Sequence, residues 1–122
     1  MRQNTVVAIN AADASVNELG IVIDSAFIIS ASAIAVSTGS STGTINIQGS
    51  NDLPAGLAVT SLGHPIPVNW INITSLTATI SAATIAIIPA FQVCYRWLRV
   101  SYVKNNGSAG TITVNMQTQG ED

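Results

Sequence analysis

The chain has 122 residues, of which 48% are apolar and only 8% charged, with four basic and six acidic side chains and a formal net charge of −2. Arg2, Arg96, Arg99 and Lys104 are scattered, so no basic stripe exists for tracking phosphates, and nucleic acid is excluded as an expected ligand. Because soluble domains carry roughly 25% charged residues, a chain this poor in charge is expected to cover much of its exterior with other protein, as a homo-oligomer or within a larger assembly.

One domain spanning 1–122 fits the length. Cys94 is the single cysteine, so no intrachain disulfide can form and folding in a reducing cytoplasm is expected. The apolar stretch 21–36 is broken by Asp24, Ser25, Ser30 and Ser32, leaving no span of about 20 apolar residues, and no membrane segment is expected. The amino-terminal apolar run, 6–9, is too short for a signal-peptide core, so no export signal is expected either.

In chain order, β-branched residues recur in short runs separated by Gly, Pro, Asn, Asp and Ser, which is the signature of strands. The first strand is predicted at 5–9. Residues 10–19 are rich in Asn, Asp and Ser and are predicted to be loop or a single turn. Short strand 20–23 precedes a long one, 26–37, with Phe27 and Ile29 on one face and Ile28, Ile34 and Val36 on the other, a distribution that predicts burial on both sides. A turn at 38–43 and a cleanly alternating strand at 44–49, with Ile45 and Ile47 inward, complete a predicted hairpin.

Residues 50–67 hold Pro54, Gly56, Gly63, Pro65 and Pro67 and are predicted to be a long excursion, either a partner-contact loop or a crossover between two sheets. Strands follow at 68–73, 77–80 and 84–88, the last stopped by Pro89. In 93–103, Leu98, Val100 and Tyr102 form one face, with Tyr95, Trp97, Arg99 and Ser101 on the other. The Asn- and Gly-rich turn 105–110 leads to strand 111–117, with Ile112, Val114 and Met116 inward, predicting a second hairpin. The ends, 1–4 and 119–122, could be free arms that reach a neighbour.

About eight strands, almost no helix and a long connection predict an all-β fold: an antiparallel two-sheet sandwich, jelly-roll-like, ahead of an immunoglobulin-type sandwich, which lacks its cysteine pair here, and ahead of a closed barrel.

Four segments occur in order: Gly43-Thr-Ile-Asn-Ile-Gln-Gly-Ser-Asn-Asp52, Asn69-Trp-Ile-Asn-Ile73, Tyr95-Arg-Trp-Leu-Arg-Val-Ser-Tyr102 and Gly110-Thr-Ile-Thr-Val-Asn115. Together, over about the last two thirds of the chain, they make it similar to small bacteriophage structural proteins with a discoidin-like or jelly-roll β-sandwich. One departure is the 17 residues between Asp52 and Trp70, where the family pattern has a short loop. The resemblance implies a virion component, either a capsid decoration protein, a minor capsid protein or a fibre module, whose partners are copies of itself and other virion proteins.

Parts for catalysis are scarce. His64 is the sole histidine and cannot by itself supply a multi-histidine metal cluster, although a site with Asp52 is conceivable. Ser and Thr are abundant, but no strand-to-helix nucleophile elbow is expected to activate one, no phosphate-binding glycine loop is present in the sequence, and a paired-carboxylate site would need the fold to bring acidic residues together. Cys94, on a predicted strand, is read as a small buried apolar group. No enzyme activity, cofactor or metal is therefore expected. The candidate interface or ligand contacts are Trp70, Trp97, Tyr95, Arg99, His64 and Asp52: packing and subunit contact is the preferred role, and a glycan-stacking platform the alternative. Arg96 and Arg99 are expected to stack on an aromatic ring or to pair with Asp24 or Asp52.

Overall fold

A computed structural model describes residues 2–26, 28–51, 58–59 and 65–120. The described residues form eleven strands: β1 (Arg2–Asp13), β2 (Glu18–Leu19), β3 (Ile23–Asp24), β4 (Ile28–Ser37), β5 (Thr42–Ser50), β6 (Ala58–Val59), β7 (Pro65–Ile66), β8 (Ile71–Ser81), β9 (Ile85–Gln92), β10 (Trp97–Lys104) and β11 (Thr111–Gly120). One sheet has the order β1-β11-β4-β9, and the other has β2-β10-β5-β8 with β3 also pairing β10. Every pairing is antiparallel. Counting β2 and β3 as one interrupted strand and setting aside the small β6-β7 ribbon, the order is 1-8-3-6 facing 2-7-4-5, the winding of a jelly roll. The predicted two-sheet sandwich is therefore the fold.

The core lies between the inner faces. Ile45 and Ile47 of β5 and Leu98, Val100 and Tyr102 of β10 meet Ala31, Ala33 and Ala35 of β4, Ile88 of β9 and Ile112, Val114 and Met116 of β11. Each set recurs with period two, as a pleated strand with one buried face requires. Small alanines on β4 leave room for the larger Ile, Leu and Tyr side chains elsewhere in the core, which is how a sandwich interior reaches close packing.

Connectivity corrects two expectations. Neither predicted hairpin exists: β4 pairs with β11 and β9, while β5 pairs with β10 and β8, and β10 and β11 likewise belong to different sheets. The turns at 38–41 and 105–110 are corners that carry the chain from one sheet to the other. Conversely, the long excursion after β5 joins two neighbours in the same sheet, since β5 pairs β8 directly. The chemistry of a turn says that a chain reverses; whether the return strand pairs with the first or faces it across the core depends on partners distant in sequence.

Strand limits differ for local reasons. β1 continues through the predicted loop because two register shifts and Ala11 at φ 47° let it follow β11 as a bulged strand. The two short strands predicted between 68 and 80 merge into β8, which bulges around Ser75 at φ 69°. Pro89 does not stop β9, because β9 is an edge strand and a register shift opposite Ala31 and Ala33 absorbs the missing donor. The ends pair with one another through Arg2↔Gly120 and Gln3↔Gln119.

Several corners converge at one end of the sandwich. Ser41 Oγ donates within 2.6 Å of Thr38 O and 2.9 Å of Ala109 O, Ser37 Oγ reaches Ala82 O at 2.6 Å, and Ala14 N donates to Gly110 O at 2.9 Å. Buried hydroxyls thus satisfy the carbonyls that the sheet-to-sheet crossings leave without ladder partners. Beneath them the Tyr102 hydroxyl lies 2.8 Å from Ala14 O and 3.1 Å from Ser108 Oγ, which in turn accepts from Thr42 N at 2.9 Å.

Candidate interaction site

At the opposite end, the outer face of the β10-containing sheet gathers the aromatic and guanidinium groups. Alternation along β10 turns Leu98 and Val100 inward and leaves Trp97 and Arg99 outward, with β5 partners Ser50 and Gln48. Arg99 Nε donates to Gln48 Oε1 at 2.6 Å, and Gln48 Nε2 donates to Asn72 Oδ1 at 2.9 Å, so one polar row crosses β10, β5 and β8. The Arg99 guanidinium lies 4.2 Å from the Trp70 ring centroid, and the Trp70 indole N–H donates to Pro67 O at 3.1 Å. Partial burial lowers the pKa of Arg99 from its ordinary value, yet a guanidinium stays charged throughout the accessible pH range.

Arg96 makes a second such group beside the first. It lies 4.9 Å from the Trp97 ring centroid and binds Asp24 in a fork, Nε to Oδ1 at 2.9 Å and Nη2 to Oδ2 at 3.1 Å. Its backbone N–H is held by Asn51 Oδ1 at 2.9 Å. Desolvation pushes the Asp24 carboxyl up, but the Ala26 N–H and Arg96 outweigh it and hold the carboxyl below its ordinary value of 3.8. A group whose folded pKa is depressed contributes stability above the unfolded value and loses it as pH falls through the folded one. Both partners are about half exposed (53% and 48%), so solvent screening limits the pair to about 1 kcal/mol or less. Asp24→Asn is expected to cost no more than that at pH 7 and progressively less as pH falls below 3.8, checked by urea unfolding across that range.

Of the six candidate contacts, Trp70, Trp97 and Arg99 share this face. Tyr95 does not. It sits in the 93–96 crossing, packs against the core, and covers Gly49, where a Cβ would come within 2.5 Å of its ring. Its carbonyl, with that of Arg96, accepts from Ser25 Oγ. The reason is that β10 begins at Trp97, four residues later than the start of the predicted strand 93–103. Asp52 and His64 lie outside the described residues. Cys94, expected to be buried, is exposed in the same crossing.

This arrangement can bind and position, since it offers ring edges, amides and fixed positive charge, but among the described residues it brings together no nucleophile and base. Among the described residues no three His, Cys, Asp or Glu side chains cluster as metal ligands would. A dimple of about 60 Å³ on the other sheet, lined by Ser30, Ser32, Gln117 and Gln119 among others, is far below the roughly 300–1,000 Å³ of small-molecule sites. A double-mutant cycle of Trp70→Ala and Arg99→Ala is expected to give a coupling of about 0.5–2 kcal/mol in unfolding free energy; a coupling near zero would mean that ring and guanidinium are merely adjacent.

Sequence reasoning missed a second surface. Ile34 and Val36 of β4 and Ile85 and Ile87 of β9 point away from the core and are 43–63% exposed. The available signal was the row Ala31, Ala33, Ala35, which places the small side chains inside and therefore the large ones between them outside.

No protein-family model matches the chain, and no curated protein matches it. Among solved structures, the PBSX exported protein XepA aligns with 98% of this chain and 38% of its own, at a TM-score of 0.69 and 13% identity. The SPBc2 prophage-derived protein YomS aligns with 96% of this chain and 92% of its own, at a TM-score of 0.58 and 12% identity. The chain thus spans well under half the length of XepA and corresponds to nearly all of YomS. At these identities the likeness is one of architecture, and the two-sheet sandwich is common to all three.

Proposed function

We propose that this chain is a non-enzymatic structural component of a bacteriophage particle, building or decorating the capsid through subunit contacts after folding in the host cytoplasm. The observation that carries the reading is an exterior stocked with Ile, Val, Ser and Thr in place of charges. Such a surface is costly for a solitary soluble domain and ordinary for one repeated in a shell. Support also comes from fold-level likeness to a prophage-derived protein over nearly the full length of both chains. Its partners are then copies of itself and other virion proteins.

A carbohydrate-binding adhesion module is the second reading, favoured by the amides of Gln48 and Asn72 beside Trp70. It ranks lower because Arg99 already occupies one face of that ring and the indole N–H is already bonded.

Mass spectrometry of particles purified by density gradient from cells producing the encoding phage tests the proposal. The chain is expected in the particle band in many copies. Its recovery only in the soluble fraction would overturn the structural role, and glycan retention lost in Trp70→Ala would then favour adhesion.

A further inference from the structure

We propose that the outer face of the β1-β11-β4-β9 sheet, at its β4-β9 side, is the surface on which a second copy of this chain packs. The register fixes the face. One row runs Val7, Asn115, Ile34, Ile87 across β1, β11, β4 and β9, and the next runs Thr113, Val36, Ile85. The five aliphatic side chains are 43–63% exposed, with Ile85 and Ile87 the most open at 63% and 60%. Together they present on the order of 400–500 Å² of apolar surface, near the top of what a monomer carries. A standard interface needs roughly 800 Å² per partner. Thr113, Asn115, Ser32 and Gln117 of the same face are the uncharged polar groups that supply the rest as a rim.

Two features select a copy of the chain over another protein. First, β4, β9 and β11 contain no charged residue, so identical faces meet without like-charge repulsion, and the face offers no charge pattern by which a different partner would be chosen. Second, β9 is the edge of its sheet and pairs only with β4 among the described residues. Edge strands are usually guarded by charges, prolines or bulges. Here Pro89 and the register shift guard only the second half, and 85–88 is a plain strand whose outward N–H and C=O groups an identical strand satisfies antiparallel. Ile85 and Ile87 flank that edge, so antiparallel pairing of two β9 strands also brings these side chains of the two copies into cross-strand contact on the shared outer face.

The inference rests on the proposed structural role only in that the chain works as one of many copies, and it is tested separately. Sedimentation velocity of the purified chain at micromolar concentrations is expected to show a dimer or larger species. Ile87→Lys and Ile85→Lys, each placing a charge in the contact, are expected to weaken self-association roughly 100-fold or more. Val103→Lys, on the other sheet at a residue 45% exposed, is expected to leave it unchanged. Ile87→Ser serves as an uncharged variant should either lysine disturb folding, with the same direction expected. A wild-type monomer, or an oligomer indifferent to Ile85 and Ile87 changes, would overturn the inference; particles that still contain the chain in that case leave the structural role standing.

Discussion

Tyr102→Ala is expected to destabilise the fold by about 4–5 kcal/mol, and Tyr102→Phe by about 1–2 kcal/mol, both measured by urea unfolding. The ring is fully buried among Ile45, Val100 and the β11 side chains, so its removal opens a cavity that the two sheets cannot close without losing register. The hydroxyl has a separate task. It satisfies Ala14 O and touches Ser108 Oγ, and through them it ties the start of the chain to the corners after β4 and β10. Phenylalanine keeps the packing and leaves Ala14 O buried without that donor, which sets the smaller cost. If Tyr102→Phe were as damaging as Tyr102→Ala, the ring's packing would contribute little and the hydroxyl network would dominate.

Gly110→Ala is the second large effect, about 3 kcal/mol or more. Gly110 has φ +101°, a conformation that L side chains rarely adopt, and an added Cβ would fall 2.1 Å from the carbonyl oxygen of Thr38. Relief requires parting the two corners, which breaks the Thr38 N–H to Thr111 O bond of 2.9 Å and the Ala14 N–H to Gly110 O bond of 2.9 Å. Gly107→Ala is the matched control: φ is +80°, but nothing lies within 4 Å of the added carbon. Its cost is therefore conformational alone, about 1–2 kcal/mol. Equal melting losses in the two variants would show that backbone strain, not the contact between corners, governs this end of the sandwich.

The inward side chains of β5, β10 and β11 were legible from alternation, because a strand with one buried face writes its period into the sequence. Pairing was not. Residues 38–43 and 105–110 carry the composition of hairpin turns, yet a jelly roll uses such turns to step between sheets, and only the β5 to β8 connection stays within one. Two predicted hairpins and a jelly roll were incompatible expectations, and the fold kept the second. At the site, Trp97 and Arg99 fall on one face because they are two apart on a strand, whereas the stacking of Arg99 on Trp70 depends on β5 lying between β10 and β8, which no local pattern encodes. Ile34 and Val36 were expected to be buried because they are large and apolar. In the single chain they are 44% and 43% exposed, since β4 spends alanines on the core and turns its bulk outward.

Amide hydrogen exchange along β9 addresses the central claim most directly, namely that protein and not water covers the outer face of the β1-β11-β4-β9 sheet. Peptides spanning 85–88 are expected to exchange slowly in the wild-type chain and rapidly in Ile87→Lys, while β5, interior to its sheet, stays protected in both. Equally fast exchange of 85–88 in the two proteins would mean that this edge is open to solvent in the native state, contradicting the claim.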